Sequence, residues 1–291
     1  MMPYLNIRKN EYIFVLFIII YSFLIISFFI LSKSYRDTQF LNSFGEKELS
    51  ILYVINPIII GLFVWLITYI LDDFDLFKRS IIIHFLIFIG SLLFLTNLDS
   101  NLNSTNLESN FNRSLIFIYY IFVDFQISII AYLFWKSLSS SFSSRQAKRL
   151  FGIITSGGFL SALLLGSTLS YLTQHLSQKE LLILFNFLIL FCPLFTFYLL
   201  KNSTVSNKII IKRNSDETII KLFKNKYILN IILIIFLFSI ISVFIDYNFK
   251  VSSFNKFSKN PEYLTNYFAQ FYSIASFISF LVQIFISSHI F

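Results

Sequence analysis

Charged residues, cysteine, histidine and glycine are all scarce in this chain, and each shortage excludes something. Only 13% of the 291 residues are charged, too few to cover a water-facing surface. The single cysteine, Cys192, forms no internal disulfide and says nothing about redox compartment. Three histidines (His84, His175 and His289) and that cysteine show no metal-ligand spacing. No nucleophile–base arrangement stands out either, so the chain reads as neither metalloprotein nor enzyme, and no cofactor is expected. His84 reads as a core or groove residue.

What is abundant is apolar. Hydrophobic residues make up 56%, phenylalanine alone contributes 39 residues, and mean hydropathy is +0.75. A helix needs about 20 apolar residues to cross a bilayer core. Eight runs meet or approach that length: 12–32, 51–71, 80–97, 114–136, 150–173, 181–200, 226–247 and 264–288. They are apolar on every side, whereas strands of a membrane barrel alternate with period two. The fold class is therefore an all-α membrane protein whose main partner is the lipid bilayer. The first run lacks a small-residue cleavage site, so it reads as a span rather than a signal peptide.

The net charge of +8 invites a nucleic-acid reading, but its distribution argues against one. Fifteen Lys and Arg residues fall on one side of the predicted spans. They are Arg8, Lys9, Lys78, Arg79, Lys136, Arg145, Lys148, Arg149 and the seven basic residues from Lys201 to Lys226. Eight fall on the other: Lys33, Arg36, Lys47, Arg113, Lys179, Lys250, Lys256 and Lys259. This bias orients a membrane protein, and it places the N-terminus in the cytoplasm.

The layout divides the chain into a six-helix bundle over 1–200, a basic cytoplasmic loop over 201–225 and two further helices over 226–291. Six helices, a long basic loop and more helices is the layout of major-facilitator-type transporters, in which two six-helix halves rock about a midplane site. Eight helices of an expected twelve are present, so the chain reads as a fragment lacking about four. The Asn/Ser-rich segment 99–112 reads as a flexible connection.

Several residues resist a purely lipid-facing account. Asp124 lies near the middle of the fourth span, where a carboxylate costs about 2.5–3.5 kcal/mol to insert. It reads as a cavity-facing substrate or proton-coupling residue, or as a structural acid bonded to another helix. Asp246 and Lys250 are spaced i, i+4 and share a helix face. They are either functional or a solvated interfacial pair with Lys250 reaching toward water. Arg36 and Asp37 face a central cavity if the first helix continues past Ser32, and are loop charges if it ends there; a span ending near residue 32 favours the loop. Gly158, Ala162 and Gly166, spaced by four, form a small-residue stripe for close helix packing. Gly152 and Gly157 mimic phosphate-loop spacing, but the Lys and Ser/Thr such a loop needs are Gly158 and Phe159. Pro57 and Pro193 are expected to interrupt and kink the second and sixth helices.

Three stretches resemble the non-mitochondrial ATP:ADP antiporter family, in its bacterial major-facilitator-type branch. SVFIDYNFKVSSFNKFSKNPEYLTNYFAQFYSIAS (242–276) is similar to its seventh and eighth helices. LFWKSLSSSFSSRQAKRLFGIITSGG (133–158) is similar to the end of its fourth helix, its Ala-Lys-Arg-aromatic signature and its small-residue fifth helix. SYRDTQFLNSFGEKEL (34–49) resembles the Arg-Asp-Thr segment that closes its first helix. The resemblance implies a twelve-helix antiporter in the bacterial inner membrane, exchanging ATP, ADP or a related phosphorylated anion. The family's transport residues would fall on Arg36, Asp37, Asp124, Asp246 and Lys250. The sequence departs from the family pattern in two ways. The acids in helices 4 and 7 are Asp rather than Glu, and Gln39-Phe40 stands where the carriers have Lys-Asp. Loss of that cation supports an alternative, a facilitator relative with a less anionic solute. A further alternative is a membrane scaffold that transports nothing.

Overall fold

The structure, a computed structural model, describes residues 11–102, 110–172, 176–202, 225–257 and most of 263–279. Among these residues the regular structure is entirely helical. Helix α1 covers Tyr12–Phe44, α2 Glu46–Ile70, α3 Leu76–Leu102, α4 Asn110–Ser141 and α5 Ser144–Leu172. Then come α6 over Gln178–Ile189, α7 over Cys192–Lys201 and α8 over Lys226–Phe257. Residues between 263 and 279 continue in helix where they are described. Of the flexible connection expected over 99–112, residues 99–102 and 110–112 are instead helical and 103–109 lie outside the described residues, as do residues 203–224 of the expected basic loop and the end of the eighth run.

Six helices are long and apolar enough to cross a membrane, with α6 and α7 together forming one of them. Apolar side chains such as Trp65, Tyr69 and Phe236 remain exposed along α2 and α8. A soluble monomer rarely exposes apolar area on that scale, and lipid covers it without cost. The chain is a multi-pass helical membrane protein. Six long spans and a shorter apolar helix over Leu150–Leu165 are what the described residues supply toward the eight expected.

One boundary matters most for function. The first helix does not stop near residue 32 but runs unbroken to Phe44. No glycine or proline interrupts it until Gly45, whose φ of 84° turns the chain into α2 and is a conformation that favours glycine. Gly45 N–H closes the turn on the Leu41 carbonyl at 3.0 Å. The polar stretch SKSYRDT therefore lies inside a helix, and Arg36 and Asp37 are buried rather than looped.

The proline expectations divide. Helix α2 passes through Pro57 without a break. The sixth span breaks at Leu190-Phe191, and Pro193 sits in the first turn of α7, where its missing N–H costs nothing. Ser177 starts α6 with a capping box: its Oγ accepts from Glu180 N–H at 3.2 Å, and its own N–H donates to Glu180 Oε2 at 2.7 Å.

Helix α1 is the central element and packs on α2, α4, α5, α6 and α7. Lipid removes most of the hydrophobic drive between helices, so close approach and polar contacts hold them. A Cβ at Gly157 would collide with the Ser22 side chain and the Ile19 backbone, and one at Gly158 would press on Ile26. Ala162 is fully buried, while the surroundings of Gly166 lie outside the described residues. Ser27 and Ser161 hydroxyls meet at 2.7 Å, and Ser22 Oγ donates to the Ile154 carbonyl at 3.0 Å. Gln126, two residues after Asp124, donates to Ser91 across the α3–α4 contact.

Helix α8 attaches differently. Residues 227–245 are almost all exposed, and Lys250 and Ser253 are its buried positions. Tyr247, Phe249, Phe254 and Phe257 pack against the core cluster that contains Leu31, Tyr35 and Tyr120. Phe249 stacks on Phe271 with centroids 3.9 Å apart, and Thr265 Oγ1 meets Thr38 Oγ1 at 2.7 Å. The C-terminal third of α8 and the helical stretch after it are thereby fastened to the second half of α1.

Candidate functional site

The second half of α1 carries Lys33 and, one turn on, the pair Arg36 and Asp37. Arg36 and Asp37 are adjacent, so an apolar bundle buries them only if other charges meet them. Arg36 donates to Asp37 Oδ1 from Nε at 3.0 Å and from Nη2 at 2.8 Å. Its Nη1 turns to α4 and donates to Asp124 Oδ1. On the other side of Asp37, Lys250 Nζ of α8 lies 3.0 Å from Oδ2. The same ammonium lies 3.0 Å from Asp246 Oδ2. Asp37 thus stands between two buried cations, and its two oxygens are divided between them.

All five charged residues singled out in the sequence meet in this one network. Asp124 is bonded to neighbouring helices, to Arg36 of α1 and Asn56 of α2. Asp246 and Lys250 do pair along one helix face, but the solvated interfacial alternative is overturned, because Lys250 is 1% exposed and reaches inward to α1.

The network also contains residues the sequence reading passed over. Lys33 Nζ lies 3.5 Å from Asp246 Oδ1. Tyr53 of α2 donates its hydroxyl to Asp246 Oδ2. Asn56, one turn further, donates from Nδ2 to Asp124 Oδ2. Each cation also rests on a tyrosine face: Arg36 on Tyr120 at 4.0 Å, Lys33 on Tyr272 at 4.9 Å and Lys250 on Tyr53 at 5.2 Å. Such contacts contribute about 0.5–2 kcal/mol each, more as water is excluded. They also fix where each cation points.

The charges sum to zero: Lys33, Arg36 and Lys250 against Asp37, Asp124 and Asp246. Their depths differ. Arg36, Asp37 and Lys250 are enclosed, whereas the side chains of Lys33, Asp124 and Asp246 are 33%, 25% and 25% exposed. The arrangement is a sealed inner trio with a more open outer trio. Chemically it can hold an anion on convergent N–H and O–H donors, and it can join or release α8 from α1. His84 lies elsewhere, fully buried between helices, with Nδ1 donating to the Ser80 carbonyl at 2.7 Å.

No protein-family model, no curated protein and no solved structure matches the chain.

Proposed function

We propose that the protein is a secondary transporter that moves ATP, ADP or a related phosphorylated anion across a bacterial inner membrane by alternating access. One observation carries this reading. Six ionised side chains from α1, α4 and α8 are gathered inside an apolar helical bundle, with Asp37 joining Arg36 to Lys250. Burying such charges is expensive, and a structural role does not require them, since well-packed apolar residues serve as well or better. Charges retained within a membrane bundle mark solute pathways and gates.

In the proposed cycle the carboxylates hold the cations until a solute anion replaces them. Release of Asp246 from Lys33 and Tyr53 loosens the outer contacts of α8 with α1 and α2, while Lys250 stays paired with Asp37 as the pivot. The solute binds the separated and joined arrangements differently, and that difference is what drives reorientation. The less anionic solute remains the second reading, favoured by the zero net charge of the network.

The test is counterflow. The full chain, reconstituted in liposomes loaded with unlabelled nucleotide or phosphate, is expected to accumulate the labelled counterpart. Lys250→Ala and Arg36→Ala are expected to lower the initial rate at least tenfold. Wild-type rates in both variants would remove the network from the pathway.

A further inference from the structure

We infer that the site is matched to a solute presenting one phosphoryl group, inorganic phosphate or a phosphate monoester, rather than a nucleoside di- or triphosphate. The inference rests on the transport reading above and narrows its substrate class.

The inner and outer acids are not equivalent. Asp37 is 1% exposed, and both of its oxygens are engaged by buried cations, two guanidinium nitrogens on one and Lys250 on the other. It has no open side to turn to, so it stays in place and fixes Arg36 and Lys250. Asp124 and Asp246 each have an open side. Each also stands where donors from other helices converge. Asp246 takes Lys33 of α1, Tyr53 of α2 and Lys250 of its own helix. Asp124 takes Arg36 of α1 and Asn56 of α2.

Two ammonium groups with a hydroxyl, and a guanidinium with an amide, are donor sets that phosphoryl oxygens also satisfy. A solute reaching those donors takes the places of Asp124 and Asp246, which turn to the open side. The charge left facing the solute is then three cations less the fixed Asp37, a net of +2. A phosphate monoester carries about −1.5 to −2 at pH 7 and three acceptor oxygens, so it closes that balance.

Each added phosphoryl group brings more negative charge, and among the described residues no further cation is paired with the acids of this network. Of the other basic side chains on α4 and α8, Arg113 lies over the Phe44 ring and Lys256 over the Phe257 ring. An unmet charge in a low-dielectric site is costly, so discrimination against polyphosphates should be large.

The experiment compares solutes in one vesicle preparation. The full chain in liposomes loaded with unlabelled inorganic phosphate is offered labelled phosphate, with glycerol phosphate, ADP, ATP or the monoanionic diester dimethyl phosphate as competitors. Phosphate and glycerol phosphate are expected to compete at least tenfold better than ADP or ATP. Lys33→Gln lowers the facing charge to +1 and should raise the competition constant of phosphate at least tenfold while sparing dimethyl phosphate. Lys33→Arg should retain phosphate. Thermal unfolding of each variant in detergent, with and without phosphate, gives a reading that does not depend on transport. ADP or ATP competing as well as phosphate overturns the charge match and leaves the transport reading standing. Neither exchange nor a thermal shift with any of these anions overturns both.

Discussion

Asp37 of α1 and Lys250 of α8 form a fully buried ion pair with a 3.0 Å separation, the most deeply enclosed of the contacts that join α8 to the charged network of the bundle. Removing one partner of such a pair leaves the other charge uncompensated, at about 3–5 kcal/mol. Asp37→Asn strips Arg36 and Lys250 of a shared anion, so a loss in that range is expected. Lys250→Met alone should cost less, because Asp37 keeps its two bonds from Arg36. The double variant Asp37→Asn, Lys250→Met should recover part of the loss, with a coupling of about 1–3 kcal/mol. Thermal or denaturant unfolding in detergent measures all three. Strict additivity would mean that the pair does not bind α8 to α1.

How much of this was legible beforehand follows from the residues themselves. The helices were readable because apolar runs in Ile, Leu and Phe leave no other way to satisfy the backbone in lipid. The five charged residues were conspicuous because membranes seldom excuse them. The reach of α1 was misjudged because a hydropathy window falls at Ser32-Lys33-Ser34, although Leu31, Tyr35, Thr38 and Leu41 continue the helical spacing to Gly45. Tyr53, Asn56, Tyr120 and Tyr272 gave no signal of their own. A tyrosine or asparagine in an apolar helix is unremarkable until a carboxylate or cation from another helix arrives opposite it. Such pairings belong to tertiary packing, and one sequence does not contain them.

The α1–α5 contact gives a second prediction, one about shape rather than charge. Gly157 has no room for a methyl group, which would strike the Ile19 backbone and Ser22 Oγ. Gly157→Ala should destabilise by about 1–3 kcal/mol as the helices are pushed apart. Gly61, inside α2, has nothing within 4 Å of its added Cβ, so Gly61→Ala should be neutral or stabilise by up to about 1 kcal/mol. Paired melting curves separate the two cases. Equal effects would contradict the close α1–α5 approach.

At the start of α6, Ser177→Ala removes one acceptor of the capping box and should cost about 1 kcal/mol. Ser177→Asp should restore it, because a carboxylate accepts the same Glu180 N–H and favours the positive end of the helix. The comparison is again by thermal unfolding. If alanine and aspartate behave alike, the cap contributes nothing to stability.

The break between α6 and α7 can be followed through Cys192, the residue that opens α7 and is fully buried in the core cluster with Tyr21, Leu133 and Ile189. A thiolate must form and be reached for alkylation, so a membrane-permeant maleimide has to wait for that region to open. Labelling of the folded protein should therefore be slow and should become complete on unfolding in a denaturing detergent. The rate reports the free energy of local opening, because exchange through rare openings tracks their population. Phe195 packs on this cluster through its ring stack on Tyr21, centroids 5.4 Å apart, so Phe195→Ala should speed labelling. The Asp37 variants, whose charges lie in the second half of α1, should leave the rate nearly unchanged unless they unfold the whole bundle. A matching acceleration in both would show that the two regions open as one cooperative unit rather than separately.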